Sequence, residues 1–162
     1  LVLFHAPAYV DGRFDPATRQ PLVDIEEIGG LSDVVDQIEW RALVPLAALP
    51  AELARFDINI APIEVGNPYC EAKSELKYFE AALVSVPTVA SPTGPFRRAI
   101  ADGDTGFLAA DDNEWFAALD RLAGDPALRA RIGRAAFADS IERFGPAASQ
   151  HALLSALNAI AI

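Results

Sequence analysis

Cysteine is all but missing from these 162 residues. Cys70 stands alone, so no disulfide can close within the chain, and a disulfide-stapled secreted scaffold is excluded. A reducing, cytoplasmic setting is the expectation. Long apolar runs are missing as well. None approaches the roughly 20 residues that a helix needs to cross a bilayer, and Leu1 to Phe4 is too short, and lacks the basic flank, for a secretion signal. Neither a membrane span nor export is expected. Basic residues are scarce, 13 against 23 acidic ones, for a formal net charge of -10. Nucleic acids and anionic membranes are held largely through Lys and Arg, so neither is an expected partner.

The catalytic vocabulary is equally thin. Histidine occurs only at His5 and His151, which leaves Cys70 without an evident base and makes it structural or incidental rather than nucleophilic. No residue qualifies as a general base, so the catalytic residues are unassigned. There is no Gly-x-Ser-x-Gly elbow, no Walker loop and no complete Gly-x-Gly-x-x-Gly fingerprint. Asp102, Asp104, Asp111 and Asp112 lack calcium-loop or zinc spacing and read as turn and cap residues. No metal or other cofactor is expected.

What is present is a chain that is 52% apolar, long enough to bury a core as one domain over residues 1–162. Leu1 to Phe4, Leu22 to Ile28 and Ile38 to Leu43 read as strands, Leu31 to Gln37 as a short helix, and His5 to Pro21 as irregular. Leu46 to Arg55 reads as a helix interrupted near Pro50, and Glu64 to Cys70 as a loop after a strand at Ile58 to Ala61. Further on, Thr88 to Ala90 and Phe107 to Ala109 are strands flanking a short helix, Phe96 to Ala101. Asp111 and Glu114 form a capping-box pattern ahead of a helix with Trp115, Ala118, Leu119 and Leu122 on one face. Asp125 and Pro126 open another through about Arg143, and Phe144-Gly145-Pro146 separates it from a last helix with Leu153, Leu157 and Ile160 in a row. Short strands alternating with helices from Ile38 onwards indicate an α/β fold, Rossmann-like, with a mostly parallel sheet and helices on both faces.

Residues 71–109 carry the functional signal. Both lysines of the chain, Lys73 and Lys77, fall there. One helix is expected to start near Ala72, so that Lys73, Lys77 and Glu80 share a stripe at i, i+4 and i+7, with Leu76, Phe79 and Leu83 forming the apolar stripe beside it. Two cations at a helix start repel each other by about a few tenths of a kcal/mol, and each opposes the macrodipole by roughly 0.3–1 kcal/mol. A bound phosphate or diphosphate reverses both signs. The plain alternative is a solvated face with a weak Lys77–Glu80 pair. Ser91-Pro92-Thr93-Gly94-Pro95 follows a strand and leads into a helix, where loops of a parallel sheet expose backbone N–H groups to ligands; equally, it is a flexible connection. Arg97 and Arg98 sit within reach of such a loop or are surface residues, Arg98 more so.

Four stretches together resemble the C-terminal domain of the group one glycosyltransferases, retaining sugar-nucleotide enzymes of the GT-B fold. They are Asp57 to Pro62; Tyr78 to Ser91, like the family's glutamate-bearing helix and following strand; Gly94 with its downstream helix; and Asp102-Gly103-Asp104-Thr105-Gly106-Phe107-Leu108. The resemblance is dense from about Ala42 to Phe144. It implies that Glu80 accepts hydrogen bonds from the ribose hydroxyls of a nucleoside-diphosphate sugar. The glutamate that the family often has eight positions earlier is Ala72 here. Ala72-Lys73-Ser74-Glu75-Leu76-Lys77 is similar instead to a branch with a lysine-serine pair, which places Lys73 and the N–H groups near Ser74, Glu75 and Leu76, with Lys77, at the diphosphate. Gly94 belongs to the same donor site, and Val44 to a loop framing the base.

The resemblance implies the C-terminal, donor-binding half of a GT-B enzyme, transferring a sugar with retention to a carbohydrate or lipid-linked acceptor and needing no metal. The N-terminal, acceptor-holding domain is an expected partner that these residues do not contain in recognisable form. A second reading also stands: a nucleotide-binding or interaction module that keeps the half-fold without catalysis.

Overall fold

Three short parallel strands organise the chain. In the computed structural model, which describes residues 44–160, β1 (Asn59–Ala61), β2 (Thr88–Ala90) and β3 (Phe107–Leu108) lie in the order β1-β2-β3. Ile60 pairs with Val89, and Val89 with Phe107. The chain divides into two units, Leu1–Ala48 and Leu49–Ile162. Of the first, only residues 44–48 are described, with a 3₁₀ turn at Leu46–Ala48. The strands, helix and irregular segment read between Leu1 and Leu43 lie outside the described residues.

Successive side chains of a strand point to opposite faces, and β2 is buried on both. Ala90 joins Ala61, Tyr78, Ala82, Phe96, Ala99, Ile100 and Ala136 in one apolar cluster. Val89 joins Phe107, Ala109, Ala118, Leu122 and Ile132 in another. The first is built by α3 (Leu76–Ala82), α4 (Gly94–Ala99) and α6 (Pro126–Phe144), the second by α5 (Asp112–Gly124) and α6. Helices thus cover both faces of a parallel sheet, the α/β arrangement expected from the alternation of strands and helices.

The helix starts follow local chemistry. Asp111 accepts the Glu114 N–H to open α5, and Asp125 accepts the Leu128 N–H to open α6, with Pro126 at the first position where its missing N–H costs nothing. Arg129 of α6 donates to the Leu122 and Ala123 carbonyls, closing the end of α5. Trp115 and Leu119 are half-buried beside the buried Ala118 and Leu122, so the expected inner face of α5 is the one observed. Helix α4 begins at Gly94, two residues before the expected start. The extended Thr93 precedes it, and Pro95 is accommodated in the first turn. The helix expected over Leu46 to Arg55 is shorter, α1 (Leu49–Leu53), with Pro50 in its first turn. The last helix, α7 (Pro146–Ile160), packs against α6 and leaves Leu153, Leu154 and Leu157 more than half exposed.

The inner face of α3 differs from the expected one. Leu76 and Leu83 are 55% and 53% exposed, while Tyr78, Ala81 and Ala82 are buried. The spacing 78, 81, 82 is as helical as 76, 79, 83. Ala82 lets the helix lie close to Ala61 and Ala90 of the sheet, which Leu at that place would prevent. Gly133 serves a similar close approach from α6. A β-carbon built there would overlap the carbonyl of Ser85, whose backbone has φ of 59°. Gly133→Ala is accordingly expected to destabilise the fold by about 1–3 kcal/mol through overpacking, read as a lower urea midpoint with an unchanged m-value.

Candidate functional site

The carboxyl ends of β1 and β2 lead into adjacent loops, the place where an open parallel sheet binds ligands. Hydrogen bonds tie the two loops together. The Ser91 N–H donates to the Ala61 carbonyl at 3.1 Å, and the Ile63 N–H donates to Ser91 Oγ at 2.9 Å. Arg97 Nε donates to the Pro92 carbonyl at 2.7 Å, holding the second loop from its far side. Arg98 is fixed through its backbone, since its carbonyl accepts from Arg143.

Between β1 and β2 the chain does not run as one helix from Ala72. Asn67 caps a short helix, α2 (Pro68–Glu71), by accepting the Tyr69 N–H at 2.9 Å, and Pro68 sits at its first position. An Asn-Pro start of this kind is a recognisable helix signal, and it overrides the loop expected over Glu64 to Cys70. Helix α2 ends at an Ala72 cap, and α3 begins only at Leu76 after Glu75. The expected stripe of Lys73, Lys77 and Glu80 is therefore broken. Lys73 lies in the interruption and Lys77 in the first turn of α3.

The proposed site residues fall in distinct surroundings. Lys73 is exposed, with Nζ 4.7 Å from the centre of the Tyr69 ring, a cation–π contact. Ser74 is exposed, and Glu75 caps α3 without a side-chain bond. Leu76 and Lys77 are exposed, and the Lys77 carbonyl accepts from Asn59 Nδ2 at 3.2 Å. Asn59 also donates to Thr88 Oγ1 at 3.0 Å, so one side chain ties α3 to two strands. Glu80 is half-buried and makes no ion pair among the described residues. The pair with Lys77 is not formed. Leu76, Glu80 and Leu83 share the outer stripe of α3 by their spacing. Val44 is half-buried and belongs to the first unit.

Gly94 connects to a residue that carried no role in the sequence reading. Glu71, at the end of α2, accepts the Gly94 N–H on Oε2 at 2.8 Å and the Gly66 N–H on Oε1 at 3.1 Å. These two bonds, Gly94 first, hold the Glu71 carboxyl below its ordinary range, against the opposing effect of burial and with help from the Arg97 charge. The Glu71 bond to Gly94 spans 23 positions, which no local pattern marks. The Asn59 bonds to Lys77 and Thr88 are likewise long-range, over 18 and 29 positions. Tyr78, fully buried in the first apolar cluster, has its phenol pushed up by burial, with the Thr105 and Ser140 hydroxyls opposing the rise.

The acidic turn after α4 is structural. Asp102 Oδ1 accepts the Leu108 N–H, and Gly103 takes φ of 79°. Among the described residues no three His, Cys, Asp or Glu side chains gather where they could share a metal ion. No described helix is long and apolar enough to cross a membrane.

Comparison with known proteins agrees with this architecture. The family model "Glycosyl transferases group 1" matches residues 14–125. A curated relative, the D-inositol 3-phosphate glycosyltransferase of Stackebrandtia nassauensis, is 35% identical over 117 residues, covering 71% of this chain and 24% of its own length. The chain therefore spans about a quarter of that relative. Among solved structures, the C-terminal domain of a group 1 family glycosyl transferase from Francisella tularensis superposes with a TM-score of 0.56 at 20% identity, over 75% of this chain and 61% of that one. Sucrose-phosphate synthase from Thermosynechococcus elongatus gives 0.68 at 20% identity, over 99% and 39%. S. aureus TarM, solved with fondaparinux, α-GlcNAc-glycerol and UDP, gives 0.60 at 16% identity, over 76% and 24%.

The bond between Ser91 and Ile63 sets how the two loops meet. Ser91→Ala leaves the Ile63 N–H without its acceptor and is expected to cost about 1–3 kcal/mol. The checks are the urea midpoint and faster amide exchange at Ile63.

Proposed function

The chain belongs to the group 1 glycosyl transferase family, and from that premise we propose that it is the donor-binding domain of a retaining enzyme of this family, taking a nucleoside-diphosphate sugar at the carboxyl end of its sheet. The observation that carries this reading is the state of Glu80. A half-buried carboxylate without an ion pair among the described residues is available to accept two hydroxyls of a ribose. Charge-assisted bonds of that kind are strong and directional.

The diphosphate is assigned to the interruption between α2 and α3. Lys73 is exposed there, and Glu75 leaves the first N–H groups of α3 uncapped by a side chain. Helix-start N–H groups and ammonium ions stabilise negative charge. The same groups would meet the charge that develops on the departing diphosphate during transfer, so the mechanism draws on preorganised donors rather than a metal ion. The acceptor, a carbohydrate or lipid-linked group in this proposal, is held by the N-terminal domain of the GT-B pair. UDP in the TarM structure makes uridine diphosphate the natural first probe, with guanosine diphosphate as the comparison.

Isothermal calorimetry with UDP and GDP tests the reading. The wild-type chain is expected to bind one of them. Glu80→Ala is expected to weaken that binding by roughly 10- to 100-fold, the loss of about one charge-assisted hydrogen bond. Absence of binding by the wild type favours a non-catalytic interaction module instead. Lys73→Ala is expected to raise the Kd for the diphosphate several-fold while leaving the nucleoside nearly unaffected, with a shallower salt dependence. Equal loss for both ligands removes Lys73 from the phosphate.

A further inference from the structure

We propose that Glu71 is a positioning residue that pins two loops of the site to each other, the one after β1 through Gly66 and the one after β2 through Gly94, so that its carboxylate sets the shape of the donor site without touching the donor. The inference rests on the donor-binding reading above and extends it to a residue outside the family's motifs.

The geometry leaves Glu71 little freedom to do otherwise. Its two oxygens are each committed to a backbone N–H on a different loop, Gly66 at 3.1 Å and Gly94 at 2.8 Å. Gly66 has φ of 81°, a conformation that glycine adopts readily, so the N–H turned towards Glu71 depends on that backbone. Gly94 opens α4, and its N–H is one of the donors that the helix itself cannot satisfy. Glu71 satisfies it from the end of α2. The Arg97 charge on α4 adds a smaller electrostatic contribution in the same direction as the two backbone bonds. The nearest lysine along the chain, Lys73, is turned to Tyr69.

Both carboxylate oxygens of Glu71 thus face the protein backbone. A carboxylate is needed because both partners are donors. A glutamine in its place has one acceptor oxygen and an NH₂ group, which can serve one loop but meets the other with donor against donor.

The sign of the pH dependence follows from the lowered carboxyl. The latch is complete above the ordinary glutamate value of 4.5 and is lost as pH falls through the lower value held in the folded chain.

The test uses the 162-residue chain in two arms. In the first, the Gly66 and Gly94 amide resonances are followed by NMR against pH. Both are expected to move together with a midpoint below 4.5, and Glu71→Gln is expected to abolish the movement. Amides that ignore the Glu71 titration overturn the latch, whatever the chain binds. In the second, the Kd for UDP or GDP is measured for wild type, Glu71→Gln and Glu71→Asp. Glu71→Gln is expected to raise it about tenfold, with Glu71→Asp recovering part of the loss. An unchanged Kd beside a lowered urea midpoint makes Glu71 a plain structural cap and overturns the positioning role. A wild type that binds neither nucleotide defeats the donor-binding reading and the positioning role with it, and the amide titration alone then decides whether the loops are pinned.

Discussion

Burial of β2 on both faces is the constraint on which the described unit depends. Thr88, Val89 and Ala90 have no exposed side, so the strand must be covered by helices above and below and paired along both edges. Those demands fix α3 and α4 on one side, α5 on the other and α6 across both clusters. They also place the ends of β1 and β2 side by side. The site is a consequence of this, because two loops that leave neighbouring parallel strands must run together before their helices turn back.

Small residues make that packing possible. Ala61, Ala82, Ala90, Ala99 and Ala136 supply much of one cluster, and Gly133 lets α6 meet the Ser85 carbonyl. Close backbone approach of this kind leaves little room for adjustment, since interiors are packed as densely as organic crystals. The loops at the carboxyl ends are therefore carried on a rigid base, and their own hydrogen bonds decide their final positions. Ser91 and Glu71 contribute the cross-loop bonds, while Arg97 braces the second loop from α4. Function in this fold resides in such loops rather than in the sheet.

Much of the fold was legible because it is written in short-range chemistry. The caps at Asp111 and Asp125, proline at position 126, the glycine turn at 103 and the β-branched run before Ala90 each act within a few residues. The interruption between α2 and α3 was equally local, in Asn67-Pro68, yet the helical spacing of Lys73, Lys77 and Glu80 outweighed it. The inner face of α3 is set by alanine rather than by the large aliphatic residues, Ala81 and Ala82 being buried and Leu76 and Leu83 exposed. In a helix pressed against a sheet the smaller side chain is the one that fits.

The amino-acid order by itself determined the α/β class, the helix boundaries set by caps and prolines, and the family motifs around Glu80. Those features depend on neighbours within a turn or two, or on a pattern shared with relatives. The tertiary structure alone decided which stripe of α3 faces inward, that Asn59 ties the Lys77 carbonyl to Thr88, and that Glu71 occupies the N–H of Gly94. Each joins residues 18 or more positions apart or weighs two equally periodic faces against the volume available. No local propensity encodes a distance across the fold.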